Sequence, residues 1–201
     1  IKRTQPGVFQ SLYQQDPRPN EEYQIFPNWI IIDEMPDLEP FYGLDFGYSN
    51  DPSVFSKLME HNGNGYVQTL FYRKKMTNDM IAAQIKKHGI RNEPIYADSA
   101  EPKSIEELRR HGLNVIPAVK GPDSILAGIL HLQGMRMHVT RDSIHSIEEN
   151  KYYQWMPGPD GPINKAIDAW NHCKDSERYG FYTRFLEGRQ AAALFSQDDF
   201  Y

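Results

Sequence analysis

Three acidic residues stand where their surroundings make a charge expensive. Asp45 interrupts the apolar run Phe41-Tyr42-Gly43-Leu44-Asp45-Phe46, Asp98 ends the short run Ile95-Tyr96-Ala97, and Asp175 falls within a helical pattern near the C-terminus. A carboxylate buried in an apolar strand costs several kcal/mol unless it is paired, hydrogen-bonded or coordinated to a metal. Asp168, His172, Asp175 and Tyr179 recur at i, i+4, i+7 and i+11, one stripe on a 3.6-residue helix. An all-oxygen cluster drawn from these acids would suit Mg²⁺ or Mn²⁺, hard cations that take oxygen ligands in near-octahedral geometry. Two such ions about 4 Å apart can activate a water and stabilise the leaving oxygen in phosphodiester hydrolysis. His172 would then be an outer ligand or a proton carrier near the leaving group.

Plainer readings exist for each residue, and the residues alone leave both sets open. Asp45 could accept backbone N–H bonds at a turn. Asp98 could begin a loop and cap the next helix, and Asp168 could be an N-cap. His172 could bond to Asp168 or Asp175 on its own helix. Lys103 and Lys120 could meet a phosphate, or be ordinary surface lysines. Asn50-Asp51-Pro52 reads as a turn, with Asp51 placed for a supporting role behind a metal ligand.

The elements that must position these residues follow from periodicity and punctuation. Phe41–Phe46 reads as a buried strand stopped by Gly47, Ser53–Met59 as a second ending at His61-Asn62-Gly63-Asn64-Gly65, and Tyr66–Tyr72 as a third. Three strands in succession predict an antiparallel meander. Helical spacing then covers Asn78–His88, closed by Gly89, followed by a strand at Ile95–Asp98 and a helix at Ser104–His111 with a Ser104/Glu107 capping box. A strand at Val115–Ala118, a helix at Ser124–Gly134, an edge strand at Met137–Val139 and a helix at Asp142–Asn150 come next. Tyr152–Met156, a turn at Gly158-Pro159-Asp160-Gly161 and a last helix from about Asp168 to Leu186 complete the order. Residues 1–40 read as a linker plus an edge element at Trp29-Ile30-Ile31-Ile32, residues 41–187 as the domain, and 188–201 as a flexible tail.

With 201 residues, 39% hydrophobic and 24% charged, the chain suits one globular domain that buries about 70% of its unfolded surface. No apolar run reaches the length of a membrane span. A single cysteine, Cys173, excludes an internal disulfide framework and a thiolate zinc cluster. Neither G-x-x-x-x-G-K-[ST] nor G-x-G-x-x-G occurs, which argues against a nucleotide-cradling loop. The net charge of −5 is unevenly placed: residues 41–186 hold 18 basic and 17 acidic groups, so charge neither demands nor excludes DNA.

Strand and helix order, with acids in the first strand, after the fourth and on the last helix, resembles the ribonuclease H fold: α/β, a mixed central sheet of an antiparallel meander of three strands plus parallel strands, flanked by helices. More narrowly, four motifs in order are similar to the C-terminal nuclease domain of the large terminase subunit of tailed bacteriophages. They are Gly43-Leu44-Asp45-Phe46-Gly47-Tyr48, Ala97-Asp98-Ser99-Ala100-Glu101-Pro102-Lys103-Ser104-Ile105, Lys120-Gly121-Pro122-Asp123-Ser124-Ile125 and Asn171-His172-Cys173-Lys174-Asp175-Ser176-Glu177-Arg178-Tyr179. The resemblance spans roughly residues 26 to 180. One departure is Ser176, where the family commonly has Ala after the helix acid.

The resemblance implies a metal-dependent endonuclease that cuts concatemeric double-stranded DNA by two-metal hydrolysis, with Mg²⁺ or Mn²⁺ as cofactor. Asp45, Asp98 and Asp175 would be the metal-binding catalytic acids, His172 the accessory residue, and Asp168 a weaker transfer outside the tightest motif. Implied partners are double-stranded DNA, an N-terminal ATPase domain of the same polypeptide, the procapsid portal and the small terminase subunit, in the cytoplasm of an infected bacterial host. Two other readings use the same residues. One is a ribonuclease H-like resolvase acting on branched DNA or RNA–DNA hybrids. The other is a non-catalytic DNA or procapsid docking module whose acids merely satisfy buried hydrogen bonds and whose partner surfaces are the acidic first 40 residues and the aromatic tail (Phe195, Phe200, Tyr201).

Overall fold

A computed structural model describes residues 21–195. The first part of the expected linker and the terminal Phe200 and Tyr201 lie outside the described residues, as does the side chain of Phe195. After a 3-10 turn at Glu21–Tyr23, the strands are β1 (Ile30–Ile32), β2 (Phe41–Asp45), β3 (Ser53–His61), β4 (Asn64–Arg73), β5 (Ile95–Ala97), β6 (Val115–Pro117) and β7 (Arg136–Thr140). A separate hairpin pairs β8 (Trp155–Gly158) with β9 (Gly161–Ala166). The helices are α1 (Asn78–Lys87), α2 (Pro102–Arg110), α3 (Ser124–Gln133), α4 (Ile144–Tyr152) and α5 (His172–Phe195).

The main sheet runs β1-β7-β4-β3-β2-β5-β6. As the sequence predicts, β2, β3 and β4 form the antiparallel meander, while β5 and β6 extend it in parallel on the β2 side. Two apolar layers cover its faces. Leu44 and Phe55 pack with Ile81, Ile85, Ile105 and Leu108 of α1 and α2, and Phe41, Leu58 and Tyr96 pack with Ile129, Leu132 and Phe181 of α3 and α5. Tyr23, Ile25 and Phe26 are buried too, so the chain joins the domain well before Phe41.

Four local expectations differ from the structure. Met137–Val139 is no edge: β7 lies between β1 and β4, parallel to both, and the edge is β1. Met137 and Val139 are 2% and 1% exposed, as an interior strand requires. The Ser104/Glu107 capping box does not form, because Pro102 opens α2 one turn earlier, with Glu101 as N-cap; Ser104 Oγ instead donates to Glu101 Oε2 at 3.2 Å. The strand expected at Tyr152–Met156 starts at Trp155 and has an unforeseen partner in β9. Helix α5 begins at His172 rather than Asp168 and continues past Leu186 to Phe195, into the stretch expected to be a tail.

The seating of α5 decides where its acids fall. Side chains of β2 alternate, so Tyr42 and Leu44 face α1 and α2 while Phe41, Gly43 and Asp45 face α5. At Gly43 the helix backbone comes in contact with the strand: an added Cβ would overlap the Ser176 carbonyl. Next to it, Ser56 Oγ and Ser176 Oγ share a 2.8 Å hydrogen bond, both fully buried. A small residue at 176 is therefore a packing requirement, and serine meets it with a hydroxyl that also donates to the Cys173 carbonyl at 2.9 Å. One turn on, a Cβ at Gly180 would strike Leu58 Cδ1.

The start of α5 is capped from another helix. Glu149 Oε2, on α4, accepts the amides of Cys173 at 2.8 Å and Lys174 at 3.2 Å, two of the donors that a helix start leaves unpaired. Beneath it Lys174 Nζ lies 2.7 Å from Glu177 Oε2, with both side chains nearly inaccessible, and Ser146 Oγ links the two.

Replacing Gly43 by Ala is expected to destabilise the fold by about 3 kcal/mol, because backbone cannot yield as a side chain can; for a domain of this size that is a fall of roughly 6–12 °C in Tm. An unchanged melting temperature would show that α5 is not held in this contact. Glu149→Ala should cost about 2 kcal/mol by uncovering two buried amides, and Glu149→Gln, which keeps an acceptor, should recover most of it in the same denaturation series.

Candidate metal centre

Strand pairing brings the first two acids together. Tyr42, Gly43 and Leu44 of β2 align with Ile95, Tyr96 and Ala97 of β5. The Asp98 amide continues that ladder by donating to the Leu44 carbonyl at 3.2 Å. Asp45 and Asp98 thus leave the carboxyl ends of adjacent parallel strands, where open α/β sheets place their sites. The close seating of α5 adds its first turn, carrying His172 and Asp175, to the same end.

Asp45 is 7% exposed, and no backbone cap satisfies it as the plainer reading would have it. Its Oδ2 lies 3.2 Å from His172 Nδ1. Burial, opposed by that hydrogen bond and reinforced by the nearby charges of Asp175 and Asp98, raises its pKa to about 6. His172 is pushed upward in turn, chiefly by the hydrogen bond to Asp45 and against its own burial. The other nitrogen, Nε2, is 3.7 Å from Asp51 Oδ1, so the ring bridges two acids that lie off its helix. Neither Asp168 nor Asp175 is its partner.

Asp98 is treated differently. Burial would raise its pKa, but Lys120 Nζ, the Ala100 amide at 2.7 Å and the Tyr179 hydroxyl at 3.2 Å hold it below the ordinary value. Asp175 Oδ1 accepts from Arg178 Nη2 at 2.7 Å, and its Oδ2 is 3.5 Å from Asn171 Nδ2. Each of the three carboxylates therefore faces a cationic or protonatable side chain of its own. In this arrangement the described residues contain no group of three or more His, Cys, Asp or Glu side chains closed around one point that could hold an ion. The donor set nonetheless fits a hard divalent cation: oxygen ligands only, on three separate elements, at least one kept ready to release a proton near neutrality by its neighbours' charge.

Asp45, Asp98, Asp175 and His172 are brought to one end of the sheet. Asp168 is not on the helix and is no N-cap; it precedes α5 in a loop, where Asn171 Nδ2 donates to its Oδ1 at 3.4 Å, and it borders a cleft of about 810 Å³ shared with Asp98, Asp175 and Lys120. Lys120 reaches the acids, whereas Lys103 stands exposed on α2 beside Glu106 and Arg110, in a different groove. Sequence reasoning passed over Arg178, though its spacing of three from Asp175 is a helix-pair signal. It also passed over Glu149, for which nothing local gives a sign.

A family described as "Terminase RNAseH like domain" matches residues 45–182. The large terminase subunit of Bacillus phage SPP1 is 33% identical over 154 residues, which cover 73% of this chain and 36% of that protein; the chain thus spans about a third of that relative. The Mn-bound nuclease domain of the SPP1 large terminase superimposes with a TM-score of 0.68 at 27% identity, covering 80% of this chain and 98% of that one. The Mg-bound large terminase nuclease of thermophilic phage G20c shares the fold at 20% identity, with a TM-score of 0.60 over 80% of this chain and 97% of that one. The architecture is accordingly ribonuclease H-like, and the chain belongs to the terminase RNase H-like domain family.

Proposed function

We propose that this chain is the metal-dependent endonuclease domain of a phage DNA-packaging motor, cutting concatemeric double-stranded DNA. The observation that carries the reading is the convergence of Asp45, Asp98 and Asp175, from β2, the end of β5 and α5, beside His172. Mg²⁺ or Mn²⁺, as two ions, would supply an activated water and charge compensation at the leaving oxygen. Asp45, Asp98 and Asp175 would hold them, with Asp168 within reach of the cleft but outside the cluster. His172, hydrogen-bonded to Asp45 and facing Asp51, is placed to hold or move a proton. Lys120 and Arg178 border the cleft and would meet phosphate, with Lys103 a more distant contact. Phosphate contacts carry no base information, so little sequence preference is expected, and the products are a 5′-phosphate and a 3′-hydroxyl.

The share of the SPP1 large subunit that this chain leaves uncovered supports an ATPase domain on the same polypeptide. Portal and small terminase subunit would be the motor's other partners, in the cytoplasm of an infected bacterium. Among the described residues no helix is long and apolar enough to cross a membrane.

Supercoiled plasmid incubated with the chain and Mg²⁺ or Mn²⁺ should be nicked and linearised, and EDTA or Asp45→Asn should abolish this while leaving the circular dichroism spectrum intact. Equal cleavage by that variant would remove the assignment, and a marked preference for branched or hybrid substrates would redirect it to a resolvase. Asp45 holds its proton below about pH 6 and is a carboxylate above it. Calorimetric Mn²⁺ affinity should therefore fall by up to about tenfold per pH unit as the pH drops below that value. Affinity independent of pH between 5 and 7 would contradict a role for Asp45 as ligand.

A further inference from the structure

Three carboxylates that each face a separate cation cannot all turn to a common ion without giving up at least one pairing. Arg178 is poorly placed to let go: its side chain is 5% exposed, and a Cβ at Gly128 of α3 would strike its Cγ and Cδ, so its stem is clamped between helices. His172 is a short rigid ring lodged between Asp45 and Asp51. Lys120 differs from both. It lies in the loop between β6 and α3, its side chain keeps 35% of its surface, and its ammonium stands 5.2 Å from the Tyr179 ring centroid at the mouth of the cleft. A lysine is a compact, strongly hydrated charge on a flexible stem, so it can move into solvent at small cost. If it leaves, the Ala100 amide and the Tyr179 hydroxyl still orient the Asp98 carboxylate.

We propose that Lys120 is a built-in counter-ion of Asp98 that competes with the divalent cation, so that this lysine sets how readily the site loads. The inference rests on the reading of Asp98 as a metal ligand. Lys120 is a positioning residue in this account: paired, it keeps Asp98 ionised among other acids, and displaced, it stays on the wall of the cleft beside Lys165 and Asn171, where a DNA phosphate would approach.

The test is Mn²⁺ titration calorimetry on the full 201-residue chain without DNA. Lys120→Gln should bind Mn²⁺ roughly fivefold more tightly, the scale of a half-exposed ion pair, and should melt at a lower temperature in EDTA. Its advantage should shrink as ionic strength screens the competing charge. Lys120→Arg, which keeps the charge, should not tighten binding, and Lys120→Met replaces the Gln variant if that chain does not fold. Unchanged or weaker Mn²⁺ affinity in Lys120→Gln overturns the proposal. Asp98→Asn separates the two levels: if it abolishes tight binding while Lys120→Gln changes nothing, only the competition fails, and if it leaves binding intact, the ligand reading fails and takes this inference with it.

Discussion

Helix α5 meets strand β2 with no side chain between their backbones at Gly43 and Ser176, and the site depends on that contact. The alternation of β2 puts Gly43 and Asp45 on one face, so whatever lies against the glycine also lies next to the acid. Asp175 is one residue from Ser176. A bulkier residue at either contact position would lift the helix and carry its carboxylate away, and neither the sheet nor α5 could restore it separately. The Ser56–Ser176 hydrogen bond and the empty flank of Gly180 extend the same close fit along the helix.

That closeness concentrates negative charge, and the fold answers with two different devices. At the sheet end the acids are exposed enough to draw on separate cations, and Asp45 is left with a pKa near 6 because no cation fully compensates its burial. Behind the helix, Glu149 and Glu177 share the single ammonium of Lys174 out of water, and burial lifts Glu149 to about 7. The second arrangement is structural, since Glu149 holds the amides that begin α5 and so fixes where His172 and Asp175 start. Removing one partner of such a buried group is far more damaging than the group's net worth suggests.

Much of this was legible in the order of residues. An acid inside an apolar strand, another ending a strand and a third on a helix are local signals, and they mark three of the residues that meet. His172 was legible as chemistry, yet its partners Asp45 and Asp51 were not, because they come from more than 120 residues upstream. Asp168 misled for a physical reason: the periodic stripe runs through it, but the cap that begins the helix is Glu149, supplied across space, so no local rule places the boundary at His172. The edge assignment of β7 failed similarly, since whether a three-residue apolar run is flanked on one side or two depends on β1 arriving from the other end of the chain. Lys120 read equally well as surface or site until the β6–α3 loop was seen to fold its ammonium onto Asp98.

The position of β1 has a consequence for synthesis on the ribosome. Ile30, Ile31 and Ile32 pair only with His138, Val139 and Thr140, so this strand is made early and has no partner until most of the domain has emerged. Meanwhile the segment Trp29-Ile30-Ile31-Ile32 is an unpaired, uncharged, β-prone stretch, the kind that associates with other chains when left waiting. The acids that follow it, Asp33, Glu34, Asp37 and Glu39, then act as gatekeepers, keeping nascent copies apart by like-charge repulsion until the strand can close the sheet.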